Sequence, residues 1–213
     1  MIRAGWLSHG KMVIYPIRND IDEEGHQLIN WVAEIDTPEH LERDCNRRGK
    51  LEDFLPAFAD WHFDWLDIPA LLRNAEVILE FPMVDQDPLP RWSHGRATLL
   101  GDAAHPMVPR GSNGAGQSIL DAVARAKHRT ATSTIEAGLA AYEAERLPAT
   151  AAIVLQNRAN PPDAILRAVF LRTSDKPFKR IEDVISQKEL LAFTVGYKKV
   201  AGYTLEDVAR RMA

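Results

Sequence analysis

The sequence holds one cysteine, Cys45, among 213 residues, so neither an internal disulfide nor a thiolate metal cluster can form. A lone thiol with no second cysteine to pair with reads as buried or idle rather than reactive. Also missing is any apolar run near the roughly 20 residues needed to cross a bilayer. The opening Met1-Ile2-Arg3-Ala4-Gly5-Trp6 lacks the apolar core of a secretory signal, so cytoplasmic residence is the expectation. Net positive charge is absent too. Twenty-six Lys and Arg against 30 Asp and Glu leave -4 at pH 7, which argues against a nucleic acid or other polyanion as the general partner. There are no internal repeats and no low-complexity segment.

Hydrophobic residues make up 46%, enough for one large domain or two small ones. Lys11 to Ile17 is short and β-branched, and Gln27 to Ile35 alternates with Ile29, Trp31, Ala33 and Ile35 on one face. The two form an expected antiparallel pair with one packed face and one more polar face. Leu51 to Trp61 has helical spacing with a kink or restart at Pro56, and Ile68 to Asn74 supplies another short helix. Strands are expected at Glu76 to Phe81 and, covered on both faces, at Arg96 to Leu100. From Gly114 onward the pattern is helical. Ile119, Leu120, Val123 and Ala126 form one stripe; Pro148 should interrupt the run Thr134 to Gln156, and a further helix should begin near Asn160-Pro161-Pro162-Asp163. Gln187 to Val200 and Thr204 to Met212 close the chain, with Thr204 and Asp207 spaced as a capping box. Trp61, Phe63 and Trp65 read as core or interface, and the basic run Arg167, Arg172, Lys176, Lys179, Arg180 as a solvated face or domain contact.

The segment Gly101 to Asp121 carries the chemistry. An apolar run ends at Gly101-Asp102, passes a loop stiffened by Pro106 and Pro109, and reaches Gly111, Gly114 and Gly116, where backbone can approach a flat ligand. The helix that follows aims its unpaired N–H groups and positive dipole end back into the loop, where an electron-rich oxygen would be stabilised. Other readings are weaker. Gly-Asp alone is an ordinary turn; Asp102, His105 and His94 lack the spacing of a metal site, so no metal is expected, and His105 reads as shaping the loop. Ser112 lacks Gly-x-Ser-x-Gly spacing and is no nucleophile elbow.

Gly101-Asp102-Ala103-Ala104-His105-Pro106, with Pro109 and the glycine-bearing helix start, resembles the second FAD-binding motif of the single-component flavoprotein aromatic hydroxylases. The phenazine and salicylate hydroxylase branch is the most similar, through Pro109 to Asp121, Leu28 to Glu34, Phe81 to Trp92 and Gln156 to Asp163. The resemblance implies that Gly101 and Asp102 bind FAD, with Asp102 on a ribityl hydroxyl. Pro109 would lie beside the flavin ring near the reacting carbon, and the N–H groups of Gly114, Ala115 and Gly116 would meet its pyrimidine edge. Gly116 departs from the family, which more often has a polar residue there. NAD(P)H would reduce the flavin, and dioxygen would form a flavin hydroperoxide that oxygenates an aromatic substrate. Tyr15, Asn30 and Trp31 are candidates for lining the substrate pocket.

The implied fold is α/β: the C-terminal portion of a glutathione-reductase-type FAD-binding fold, with part of the substrate-domain sheet and a helical C-terminus. Residues 1–93 would be a partial substrate domain, 94–158 the second half of the FAD-binding domain, and 159–213 a helical region. No Gly-x-Gly-x-x-Gly turn that would hold the ADP part of FAD occurs. Met1 then reads as an internal start or the mark of a truncated gene, and exposed sheet edges would promote self-association. A non-catalytic flavin-binding remnant is the alternative function.

Overall fold

A computed structural model describes residues 2–6, 10–36, 44, 46–159 and 164–212. Cys45 and the Asn160 to Asp163 helix start fall outside the described residues. The chain divides into two compact units, Met1–Pro82 and Met83–Ala213.

In the first unit, β1 (Ile2–Trp6), β2 (Gly10–Arg18) and β3 (Leu28–Glu34) form an antiparallel sheet in the order β1-β2-β3. The expected β2–β3 pair is present, with Ile14 opposite Trp31 and Tyr15 opposite Asn30; β1 is an addition the sequence reading lacked. Alternation puts Met12 and Ile14 on the face that packs against Phe58, Ile68 and Leu72. These come from α1 (Leu51–Phe54), a 3-10 turn (Leu55–Phe58) and α2 (Ile68–Arg73), joined by the small hairpin β4 (His62–Phe63) and β5 (Leu66–Asp67). The restart at Pro56 is observed, because proline lacks the N–H that a continuous helix would use there. Trp61 joins the core, whereas Phe63 and Trp65 stack on each other in the open, with centroids 5.5 Å apart. On the other sheet face Lys11 and Glu34, both buried, pair at 2.9 Å.

Two expected strands are not formed. Residues 76–81 make a single bridge, Arg48 to Leu79, and Val77, Leu79 and Phe81 stay exposed. Residues 96–100 begin in a tight turn around Gly95 and bond backbone to backbone only at His94–Ala97 and Leu99–Trp92. A strand exists by virtue of a neighbour's N–H and C=O groups, and among the described residues no strand lies beside either segment.

The second unit is helical: α3 (Gly114–Ala131), α4 (Ile135–Ala159), α5 (Ala164–Thr173), α6 (Gln187–Ala201) and α7 (Leu205–Met212). Pro148 does not break α4. Pro148 and Ala144, whose carbonyl loses its partner, both face solvent, so water can satisfy the freed group. Capping boxes start α6 (Ser186 with Glu189) and α7 (Thr204 with Asp207), the latter as expected. In the basic run, Arg172 pairs with Glu189 and Arg180 with Glu182. No described helix is long and apolar enough to cross a membrane.

The apolar stripe of α3 faces outward, with Ile119 65% and Val123 60% exposed, while Gln117, Asp121 and Ala124 face inward. Substituting Ile119→Ser should therefore change stability by less than about 0.5 kcal/mol, whereas Leu72→Ala in the first unit should cost about 2–5 kcal/mol. Urea unfolding of the two variants against wild type checks both.

Candidate functional site

The loop between residues 101 and 113 is held from below by one carboxylate. Asp121, fully buried on α3, accepts from the Gly101 N–H at 3.1 Å, from His105 Nε2 at 2.6 Å and from Arg146 Nε at 2.7 Å. Arg146, on α4, also donates to Gln117 Oε1 at 2.6 Å. Burial pushes the Asp121 carboxyl up, but the hydrogen bonds from His105, Arg146 and Gly101 prevail and hold it below the ordinary carboxylate range. His105 thus has the loop-shaping place expected of it, tilted against Trp92 with ring centroids 5.7 Å apart and committed through Nε2 to Asp121.

Gly101 must be glycine: its φ is +61°, and a Cβ there would lie 2.8 Å from Ser118 Oγ. That backbone turn lifts Asp102 into solvent on a 3-10 turn, Gly101–Ala103. Its Oδ1 lies 3.8 Å from where a Cβ on Gly114 would be, so the carboxylate looks toward the first turn of α3. Pro109 opens a second 3-10 turn, Pro109–Gly111, which ends at Ser112 in the left-handed region. Asn113 occupies the N-cap of α3 without making a side-chain cap bond. The N–H groups of Gly114, Ala115 and Gly116, being first-turn groups, have no intrahelical acceptor. The sequence reading assigned the glycines to close approach by a ligand. At Gly111 and Gly116 the close neighbour is instead a tyrosine: a Cβ would strike the hydroxyl of Tyr197 or Tyr203, respectively, whereas Gly114 is open.

Among the described residues, three buried side-chain atoms have no hydrogen-bond partner: His105 Nδ1, Arg110 Nε and Asn113 Nδ2. All lie in this loop, where Arg110 Nε and Asn113 Nδ2 are donors. With the first-turn N–H groups and the outward Asp102 carboxylate, they suit a flat ligand that is rich in acceptors at one end and carries hydroxyls at the other. The donor set therefore fits a flavin with a polyol chain.

Residues 79–157 match the family model described as FAD binding domain. The chain is 50% identical over 167 residues to phenazine 1,6-dicarboxylic acid hydroxylase PhzS of Lysobacter antibioticus, covering 76% of this chain and 40% of that protein. It is 38% identical over 118 residues to 3-amino-4-hydroxybenzoate 2-monooxygenase PtnB3 of Streptomyces platensis, covering 55% of this chain and 28% of that one. The chain resembles the FAD-dependent aromatic hydroxylases. Among solved structures, a salicylate hydroxylase substrate complex superposes with a TM-score of 0.55 at 22% identity, covering 93% of this chain and 48% of that one, a likeness of fold. The chain thus spans less than half the length of these relatives.

Of the expected pocket residues, Tyr15 and Asn30 are cross-strand partners and share one face of the sheet. Trp31 is on the other, its ring 5.7 Å from Phe54 in the core, so the three do not line one sheet face. The sequence reading missed Arg146, Asn113, Tyr197 and Tyr203, and used Asp121 only as part of a motif. One signal was present: Asn113, Gln117, Asp121 and Ala124 recur at helical spacing, a polar stripe opposite the apolar one.

Replacing Asp121 by Asn should destabilise the protein by about 3–5 kcal/mol, since Arg146 would be left buried without its counter-charge. A depressed folded-state pKa means that the Asp121 contribution is present above its ordinary value of 3.8 and is lost as pH falls through the folded value beneath it. Urea midpoints measured between pH 5 and pH 2 should fall more steeply for wild type than for Asp121→Asn.

Proposed function

We propose that this chain is the flavin-facing part of an FAD-dependent, NAD(P)H-using hydroxylase of an aromatic substrate, within a glutathione-reductase-type FAD-binding fold. In this reading residues 94–158 carry the flavin-facing half, residues 1–93 the substrate-binding part and residues 159–213 a helical cover. The observation that carries it is the set of unpartnered donors, Arg110 Nε, Asn113 Nδ2 and the first-turn N–H groups, gathered where the matched FAD-binding segment has its glycine-rich loop. The names of the relatives, a phenazine dicarboxylic acid hydroxylase and an aminohydroxybenzoate monooxygenase, support a carboxylated aromatic ring as substrate class.

Bound flavin supplies electron transfer from NAD(P)H and activation of dioxygen for insertion into the ring. The protein supplies position and charge. Asp102 accepts hydrogen bonds from the ribityl hydroxyls, and Gly101, in its left-handed turn, sets where that carboxylate stands. The N–H groups of Gly114, Ala115 and Gly116, at the positive end of an 18-residue helix, favour negative charge on the pyrimidine edge and so the reduced state. Pro109, with no N–H of its own, gives the ring a rigid apolar neighbour beside the reacting carbon. Tyr15 and Asn30 line the substrate pocket, and Trp31 supports that wall from the opposite side of the sheet.

The test is direct. Purified chain mixed with FAD should acquire a protein-bound flavin spectrum and oxidise NADPH in air faster when a small aromatic acid is added. No bound flavin at tens of micromolar FAD would sink the reading for this chain. Asp102→Ala should weaken FAD binding by about 1.5–3 kcal/mol, the range for a hydrogen bond to a charged group. Equilibrium dialysis measures it, and unchanged retention would contradict the ribityl assignment.

A further inference from the structure

We infer that Tyr203 is a cofactor-contacting residue: its hydroxyl, lodged over Gly116 at the first turn of α3, supplies a polar contact to the pyrimidine edge of bound flavin. This rests on the flavin reading above. A Cβ built on Gly116 would strike the Tyr203 hydroxyl, with Cζ of the same ring at 3.3 Å and Asn113 Oδ1 at 3.6 Å. Glycine at 116 thus leaves a place at the helix start that a residue 87 positions later fills with a phenol oxygen. Beside it stands the Asn113 amide, 3% exposed, whose Nδ2 has no partner. Both side chains reach within 4 Å of the Gly116 Cβ position, at a first turn whose N–H groups have no intrahelical acceptor.

The position of Tyr203 is fixed by the chain around it. Gly202, in the left-handed region with φ +70°, ends α6, and the Tyr203 N–H donates to the Lys198 carbonyl at 2.9 Å. Thr204 follows at once in the capping box of α7. One residue before Gly202, the Ala201 carbonyl accepts from Gln117 Nε2 at 3.1 Å, which ties this turn to α3. A phenol held on so constrained a turn is preorganised, and it loses little rotamer freedom on meeting a ligand. Tyr197 makes the contrast. It fills the corresponding place at Gly111, but its hydroxyl donates to Asn157 Oδ1 at 3.0 Å within a buried pair, a packing role. Tyr203 is 36% exposed, and among the described residues its hydroxyl makes no hydrogen bond. Since a phenol both donates and accepts, it suits an edge where carbonyl and N–H groups alternate.

Tyr203→Phe keeps the ring and removes the contact. Titration of the full chain with FAD, followed by flavin absorption and fluorescence, should show affinity lowered about 3–10-fold for this variant, the range of one lost hydrogen bond, with a displaced visible band. The melting temperature without FAD should stay within about 2 °C of wild type. Gly116→Asn should lose most FAD binding through its clash with Tyr203, and Gly116→Asn with Tyr203→Ala should regain part of it. A Tyr203→Phe variant with the affinity and spectrum of wild type would overturn the assignment, as would one whose FAD-free melting temperature fell enough to account for the loss. Failure of wild type itself to take up FAD would overturn the flavin reading and this proposal together; binding by wild type with an indifferent Tyr203→Phe would overturn the tyrosine alone.

Discussion

Everything in the second unit leans on the burial of one negative charge. A fully enclosed carboxylate is tolerated only when its oxygens are saturated, and Asp121 meets that demand with a backbone N–H, a ring nitrogen and a guanidinium from three parts of the chain. The same bonds that stabilise the charge tie the Gly101 to His105 segment to α3 and α3 to α4. The loop is thereby built on helices rather than left to find its own shape, and Asp102 can be both solvent-facing and fixed. A hydrophobic replacement could pack these helices, but it would not reach across to a backbone N–H and a histidine at once.

A second constraint comes from the C-terminal helices. Tyr197 and Tyr203 press into the spaces that side chains at 111 and 116 would need, so the glycine richness of the loop belongs as much to packing as to ligand approach. Only Gly114, with no close neighbour beyond Asp102 and Met107, has room left over. The loop is therefore bracketed by Asp121 beneath and two tyrosines above, with its unpartnered donors concentrated between them. Polar groups left unsatisfied in an otherwise well-bonded core mark the place where a ligand completes the structure.

Local signals were read correctly wherever the chain decides its own conformation. Pro56 restarts a helix because it lacks an N–H, Thr204 and Asp207 cap one because three residues separate hydroxyl and carboxylate, and residues 11 to 17 pair with 28 to 34 across a short connection. The candidate loop itself was legible from its motif. What failed depended on neighbours distant in sequence. Residues 76–81 and 96–100 alternate like strands yet make only isolated bridges, with no strand beside them among the described residues, and Pro148 lies in a continuous helix because the carbonyl it orphans faces water. On α3 the usual premise, apolar side in, is reversed because a buried charge network needs the interior.

The sequence by itself determined the β2–β3 pair, the helical character beyond Gly114, the cap at Thr204, the turn at Gly101 and the chemical types gathered in the loop, since each follows from φ/ψ limits and hydrogen bonding within a few residues. Only the tertiary structure decided that Asp121 would meet His105 and Arg146, that Tyr15 and Asn30 would share a face without Trp31, and that Tyr203 would stand over Gly116. Those pairings join residues from 15 to 87 positions apart, and no local propensity encodes which of many polar groups a buried one will find. The choice is made when packing removes water and every enclosed donor and acceptor must be matched within the protein or by what it binds.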